Sequence, residues 1–214
     1  MKVLVAGANG HTGRLLIKFL NEDGHEPYGM VRKEEQKQGI EELGGTPVLA
    51  DLERDVGHAV KAMDAVIFAA GSGSSTGPEK TTDVDRDGAI NLIKATENLG
   101  IKKFVMLSSI GAGRDVEKMA QDNERMKHYL QMKKEADEYL MSTELDYTIV
   151  RPGGLTHDPG TSKIKVGNKV EFANIPRADV AKTMIAAIQE PNAFHKAFEM
   201  VSGDMQIEEA LKRL

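Results

Sequence analysis

Apolar positions along this chain follow two rhythms that take turns. Short runs rich in Val, Ile, Leu and Ala at residues 2–6, 27–31, 46–50, 65–70, 103–107 and 147–150 predict strands. Between them, apolar residues recur every three or four positions over 13–21, 34–43, 56–63, 83–99 and 118–142, which predicts helices. Runs with little polar alternation fit strands covered on both faces, and the repeated β–α order implies a parallel sheet with helices on either side. Right-handed crossovers then give an α/β doubly wound parallel sheet, the Rossmann fold. Its ligand crevice lies beyond the C-terminal strand ends, where strand order reverses.

The rhythm breaks in three places. Residues 71–78, Gly-Ser-Gly-Ser-Ser-Thr-Gly-Pro, are too polar and glycine-rich for the core, and suit a linker and a lid equally. Residues 110–117 form a surface loop. Residues 152–178, punctuated by Pro and Gly, carry an expected hairpin over 163–172 that turns at Gly167-Asn168. A helix over 178–189, a short strand over 197–202 and a helix over 207–214 follow. At its start Arg177-Ala-Asp179 predicts an Asp near the N-cap with a local ion pair. With no internal repeat and no linker, 1–214 is expected to be one domain, in which 152–214 include a small cap on the substrate side.

The first strand–helix junction carries the most chemistry. Gly7, Gly10 and Gly13 stand at GxxGxxG spacing between an apolar strand and an apolar helix. Gly7 suits a tight turn, Gly10 leaves room for a diphosphate against the backbone, and Gly13 lets helix and strand pack closely. The helix start supplies unpaired N–H groups and a partial positive charge. The whole turn, Gly7, Asn9, Gly10, His11, Thr12 and Gly13, is therefore the expected dinucleotide-phosphate site.

Later strand ends extend that site. The second ends at Arg32-Lys33 where an NAD site would place an acid, so two cations await a 2′-phosphate and NADP is favoured over NAD. The third ends at Asp51-Leu52, suited to the adenine amino group and ring, or alternatively to a helix N-cap. The fourth ends at Ala69-Ala70-Gly71, small enough for a ribose to lie on the backbone. The fifth ends at Ser108-Ser109, and Tyr129 and Lys133 lie four apart on one helix face. Lys133 falls on the apolar arc of that helix, where an ammonium requires partners. A ribose hydroxyl and the Tyr129 oxygen would supply them, and the ammonium favours phenolate. Ser108 or Ser109 would orient a substrate oxygen while Tyr129 moves the proton. A snorkelling lysine beside a packed tyrosine is the plainer alternative.

Composition works mainly by exclusion. A net charge of −5, scattered basic residues and no Trp argue against a nucleic-acid surface or an anionic membrane. Without cysteine there is no thiolate catalysis and no Cys-based zinc site, and the six histidines show no metal-binding spacing, so no metal is expected. The chain opens on a strand with no basic-then-apolar leader, and no apolar run is long enough to span a bilayer, which points to a cytoplasmic protein.

These residues resemble the short-chain dehydrogenase/reductase superfamily, in particular its atypical, epimerase/dehydratase-like and NmrA-like branch. The resemblance spans nearly the whole chain. It rests on Gly7-Ala-Asn-Gly-His-Thr-Gly13, Val31-Arg32, Asp51-Leu52, Phe104-Val-Met-Leu-Ser-Ser109, Tyr129-x-x-x-Lys133 and Tyr147-Thr-Ile-Val-Arg-Pro-Gly-Gly-Leu155. It implies that Pro152, Gly153 and Leu155 line the nicotinamide; from the residues themselves, Ser109, Tyr129 and Lys133 are the expected catalytic set, with Ser108 and Lys133 also at the cofactor. Asp85 stands where longer members often have an Asn that supports a proton relay. The short cap disfavours a large nucleotide-sugar substrate. The expected function is an NADP-dependent oxidoreductase on a small carbonyl or related acceptor, working as a monomer or small homo-oligomer. A non-catalytic NADP(H)-responsive regulator or assembly partner, and an epimerase or dehydratase, are the alternatives.

Overall fold

A computed structural model describes residues 1–73 and 77–214. The centre of the loop read as linker or lid, 74–76, lies outside the described residues. The first half alternates β1 (Lys2–Ala6), α1 (His11–Glu22), β2 (Glu26–Val31), α2 (Lys37–Glu41), β3 (Thr46–Leu49), α3 (Gly57–Val60) and β4 (Ala65–Phe68). Then come α4 (Pro78–Thr81), a π-helical turn (Thr82–Gly88), α5 (Ala89–Asn98), β5 (Lys103–Leu107), α6 (Val116–Ala120) and α7 (Glu124–Met141). The chain ends with β6 (Asp146–Pro152), β7 (Gly154–Thr156), β8 (Lys163–Gly167), β9 (Asn174–Pro176), α8 (Arg177–Ala187), β10 (Lys196–Ser202), β11 (Met205–Gln206) and α9 (Ile207–Lys212).

The large sheet runs β11-β8-β10-β6-β5-β4-β1-β2-β3. From β3 to β10 neighbouring strands are parallel, and β8 adds an antiparallel edge along β10. This is a Rossmann fold, with strand order reversing between β1 and β4. Alternating side chains feed two cores. Val3, Val5, Ile67, Val105 and Val150 face one way, onto Leu16, Ile17 and Leu20 of α1 and Val180 and Met184 of α8. Leu4, Val66, Phe68, Phe104 and Ile149 face the other, onto Leu92 and Ile93 of α5 and Ala136 and Leu140 of α7. Both faces being covered is why these strands read as unbroken apolar runs.

Three expected elements take a different form. The helix expected over 83–99 starts earlier, at Pro78, and widens into the π-helical turn, which carries Val84, Asp85 and Gly88 inward together. The helix expected over 118–142 is two helices. Gln121 and Asp122 take positive φ values of 47° and 64°, and the Asn123 side chain then accepts the Met126 N–H at 3.0 Å to start α7. The hairpin expected over 163–172 has only its first arm. β8 pairs with β10 and β11, while Val170 donates its N–H to the buried Glu199 carboxylate at 2.9 Å and Phe172 is left exposed. The alternation was real, but an internal acid rather than a strand partner holds the second half. No helix among the described residues is long and apolar enough to cross a membrane.

Candidate functional site

At the β1–α1 junction, backbone packs on backbone. Gly7 has a φ of +82°, and a Cβ there would lie 2.6 Å from the Ala70 backbone. A Cβ on Gly13 would lie 2.1 Å from the Gly7 carbonyl oxygen. These two glycines set the close approach of β1, α1 and the end of β4. Among the described residues no side chain caps α1, and its first turn holds no acid, so its N–H groups are open to the crevice. An uncapped 12-residue helix at a strand-order reversal fits a dinucleotide diphosphate.

Two clefts meet at this helix end, sharing Gly10 and residues 69–72. The first, about 410 Å³, is lined by Gly7, Asn9, Arg32, Asp51 and Leu52, among others. Arg32 is exposed and free of ion pairs among the described residues. Its position is set by Gln36, whose side-chain oxygen accepts the N–H groups of Arg32 at 3.0 Å and Lys33 at 3.2 Å. The Lys33 ammonium turns to Glu35, 3.6 Å away in solvent, and Lys33 is not among the residues seen to line this cleft. Asp51 does not cap α3. Its Oδ1 accepts the Glu53 N–H at 3.1 Å, while Asp55 accepts that of Gly57 at 2.9 Å. Asn91 steadies this loop by donating to the carbonyls of Leu52 and Arg54 at 2.9 and 2.6 Å. Neither Gln36 nor Asn91 stood out in the sequence, since their partners are backbone atoms.

The second cleft, about 480 Å³, brings together His11, Thr12, Asp85, Ser108, Tyr129 and Lys133, with Leu155 and Arg177 at its border. Lys133 is buried, with its ammonium 2.9 Å from Asp85 Oδ1 and donating to the Leu107 carbonyl at 3.2 Å. The partners expected for it were a ribose and Tyr129; the protein itself supplies a carboxylate and a carbonyl. Burial is the largest influence on the Lys133 ammonium and alone would lower its pKa. Asp85, with Tyr129 and Asp137 behind it, outweighs burial and holds the pKa above the ordinary lysine value. The ammonium lies 6.0 Å from the Tyr129 ring centre and 5.7 Å from that of Phe68.

Of the two serines after β5, the cleft-lining one is Ser108, whose hydroxyl donates to Asp137 Oδ2 at 2.9 Å. Arg151 Nε donates to the same oxygen at 2.9 Å. Burial pushes the Asp137 carboxyl above its ordinary range against the pull of Arg151, Ser108 and Lys133. The Ser109 hydroxyl lies 3.4 Å from the Ile110 carbonyl and is not seen among the lining residues. Nor are Pro152 and Gly153. Pro152 is buried, and a Cβ on Gly153 would sit 2.0 Å from the Ala173 carbonyl oxygen, so that glycine is a close-packing position. The ion pair expected between Arg177 and Asp179 is absent. The Asp179 carboxylate accepts N–H groups of Thr161 and Ser162 at 2.9 and 2.7 Å, and Arg177 donates to the Leu155 carbonyl at 3.1 Å.

Against known families, the model for NAD(P)H-binding proteins matches residues 7–191. The chain belongs to that family, within the atypical short-chain dehydrogenase/reductase superfamily. It is 44% identical to the uncharacterized sugar epimerase YhfK of Bacillus subtilis, covering all of both chains. A solved structure from Bacillus halodurans, described as a candidate NAD-dependent epimerase/dehydratase, is 43% identical over all of both chains with a TM-score of 0.94. The oxidoreductase ylbE of Lactococcus lactis is 30% identical, covering 100% of this chain and 96% of that one, with a TM-score of 0.87. Two more distant relatives bear functional names. Sanguinarine reductase of Eschscholzia californica is 28% identical over 99% of this chain and 93% of its own. The photosystem II assembly factor Ycf39 of Synechocystis is 27% identical over 94% of this chain and 62% of its own.

Proposed function

We propose that this chain is an NADP(H)-dependent oxidoreductase acting on a small carbonyl or related acceptor. One observation carries the reading: two clefts join at the uncapped start of α1, one reaching Arg32 and the other Tyr129 and Lys133. Arg32 would hold the 2′-phosphate, the glycine turn the diphosphate, and Asp51 and Leu52 the adenine. The bound cofactor supplies or accepts a hydride. The Tyr129 hydroxyl gives its proton to the acceptor oxygen during reduction, and the Lys133 ammonium, kept charged by Asp85, stabilises the phenolate left behind. Ser108, with its hydroxyl hydrogen engaged by Asp137, accepts a hydrogen bond from the bound molecules.

The test is NADPH oxidation with a panel of aldehydes, quinones and enones. Tyr129→Phe should lower the rate about 10²- to 10⁴-fold while leaving NADPH affinity unchanged. An undiminished rate in that variant removes Tyr129 from the chemistry, and absence of NADPH and NADH binding at millimolar concentration removes the whole reading.

A second reading draws on Asp85. An ammonium already held by a carboxylate and a carbonyl has less to offer a reacting group, which favours a cofactor-responsive regulator or assembly partner. That reading predicts unequal affinity for NADP⁺ and NADPH with no turnover. An epimerase or dehydratase would instead convert substrate without net consumption of cofactor.

A further inference from the structure

The cleft beside Tyr129 has a one-sided charge balance. Its one carboxylate among the described lining residues, Asp85, is neutralised by Lys133 at 2.9 Å. Arg177 adds a positive charge to this cleft. Arg177 lines this cleft and also an adjoining one of about 460 Å³ that includes Arg14, His157 and Asp158. Between the two, the rings of His11 and His157 meet edge-on at 4.8 Å.

Arg177 is half-buried, and its Nη1 donates to the neutral carbonyl of Leu155 at 3.1 Å. A guanidinium carries about five N–H donors in a planar fork, so most of its hydrogen-bonding capacity is unused. Among the described residues it joins no salt bridge, since Asp179 is taken by the Thr161 and Ser162 backbone. Its place is set rigidly. It follows β9 directly, β9 pairs with β7, and a Cβ on Gly154 would lie 2.2 Å from the Asn174 side-chain oxygen. A fixed, partly desolvated guanidinium without a carboxylate partner is a receptor for a carboxylate or a phosphate.

Resting on the reductase reading of this cleft, we infer that the acceptor bears a carboxylate and that Arg177 binds it. The rival ligand is the cofactor's own diphosphate. Gly10, His11 and Thr12 of the phosphate turn line the same cleft as Arg177, so the two ligands compete for this reading; what favours the acceptor is that Arg177 also lines the outer cleft at His157 and is not seen among residues lining the Arg32 cleft.

The experiment is calorimetric titration of NADPH-loaded protein with 4-carboxybenzaldehyde and with its neutral counterpart 4-formylbenzamide. The wild type should prefer the carboxylate about 10- to 100-fold. Arg177→Gln should erase that preference without changing NADPH affinity, and Arg177→Lys should keep part of it. Melting curves confirm that both variants are folded, and the lysine variant carries the test if the glutamine variant is not. Equal binding of the two probes by wild type, or binding of neither, overturns the inference. So does a preference that survives Arg177→Gln, and so does a loss of NADPH affinity, which would assign the guanidinium to the diphosphate. Failure of the wild type to load NADPH is read before any probe is added, and it sinks the reductase reading itself.

Discussion

The ammonium of Lys133 on α7 lies 2.9 Å from Oδ1 of Asp85 in the π-helical turn, and both side chains are buried. Residues 48 positions apart are thus joined at the floor of the Tyr129 cleft. Asp85 is held in turn by the Ser72 N–H at 3.0 Å. Removing one partner strands the other charge out of water. Asp85→Asn should destabilise the fold by about 3–5 kcal/mol, whereas Asp85→Asn with Lys133→Met should recover much of that loss. Urea unfolding of both variants measures it. A single variant as stable as wild type would show that this pair carries no net charge burial.

The same pair sets a pH dependence. The folded Lys133 pKa lies above the ordinary 10.5, so its ammonium stabilises the fold at all lower pH values, and that contribution is lost as pH rises through the folded pKa. Asp137 has the same sign. Its carboxyl is raised by burial, so its contribution is fullest below the ordinary 3.8 and is lost as pH rises through the folded value. Melting temperature followed from neutral to strongly alkaline pH should therefore fall faster for wild type than for the Asp85→Asn, Lys133→Met double variant. Parallel curves would mean that Lys133 titrates with its ordinary pKa.

Much of the fold was legible because both sheet faces are covered. β1 and β5 have the bounds that their apolar runs imply, and the other parallel strands shift by a few residues at most. The glycine turn was legible too, since Gly7 and Gly13 answer to backbone contacts that no side chain tolerates. What escaped depends on distant partners. The spacing around Asp85 reads as ordinary helix, and nothing local announces that Lys133 and the Ser72 N–H draw it inward. The strand expected at 169–172 failed because Glu199, some thirty residues on, claims the Val170 N–H. The apolar arc around Lys133 implies that the ammonium needs a partner, but a wheel diagram cannot say which one.

Ser108 and Ser109 separate by surroundings in a way their adjacency hides. Ser108 is buried against Asp137 and lines the Tyr129 cleft, whereas Ser109 reaches a neighbouring carbonyl. Ser108→Ala removes one of two hydrogen bonds at a buried carboxylate oxygen and should cost about 1–3 kcal/mol of stability, with a marked loss of turnover. Ser109→Ala should shift either quantity little. Denaturant unfolding and steady-state rates on the same preparations decide it, and a Ser109→Ala defect exceeding that of Ser108→Ala would reverse the assignment.

The NADP(H) proposal makes coenzyme choice turn on Arg32 alone rather than on the Arg32-Lys33 pair. Both residues have their backbones held by Gln36, but only Arg32 lines the cleft, and Lys33 spends its charge on Glu35 in solvent. A guanidinium meeting a 2′-phosphate makes charge-assisted, bidentate contacts that NADH has no group to receive. Arg32→Ala should therefore weaken NADPH binding about 10- to 100-fold and leave NADH nearly unchanged, while Lys33→Ala should alter NADPH affinity only about twofold to threefold. Fluorescence titration of both coenzymes against both variants measures this. The contribution of Arg32 should also shrink as salt rises, because the cleft is open to solvent at its position. A wild type that binds NADH as tightly as NADPH would mean that the guanidinium meets no phosphate there.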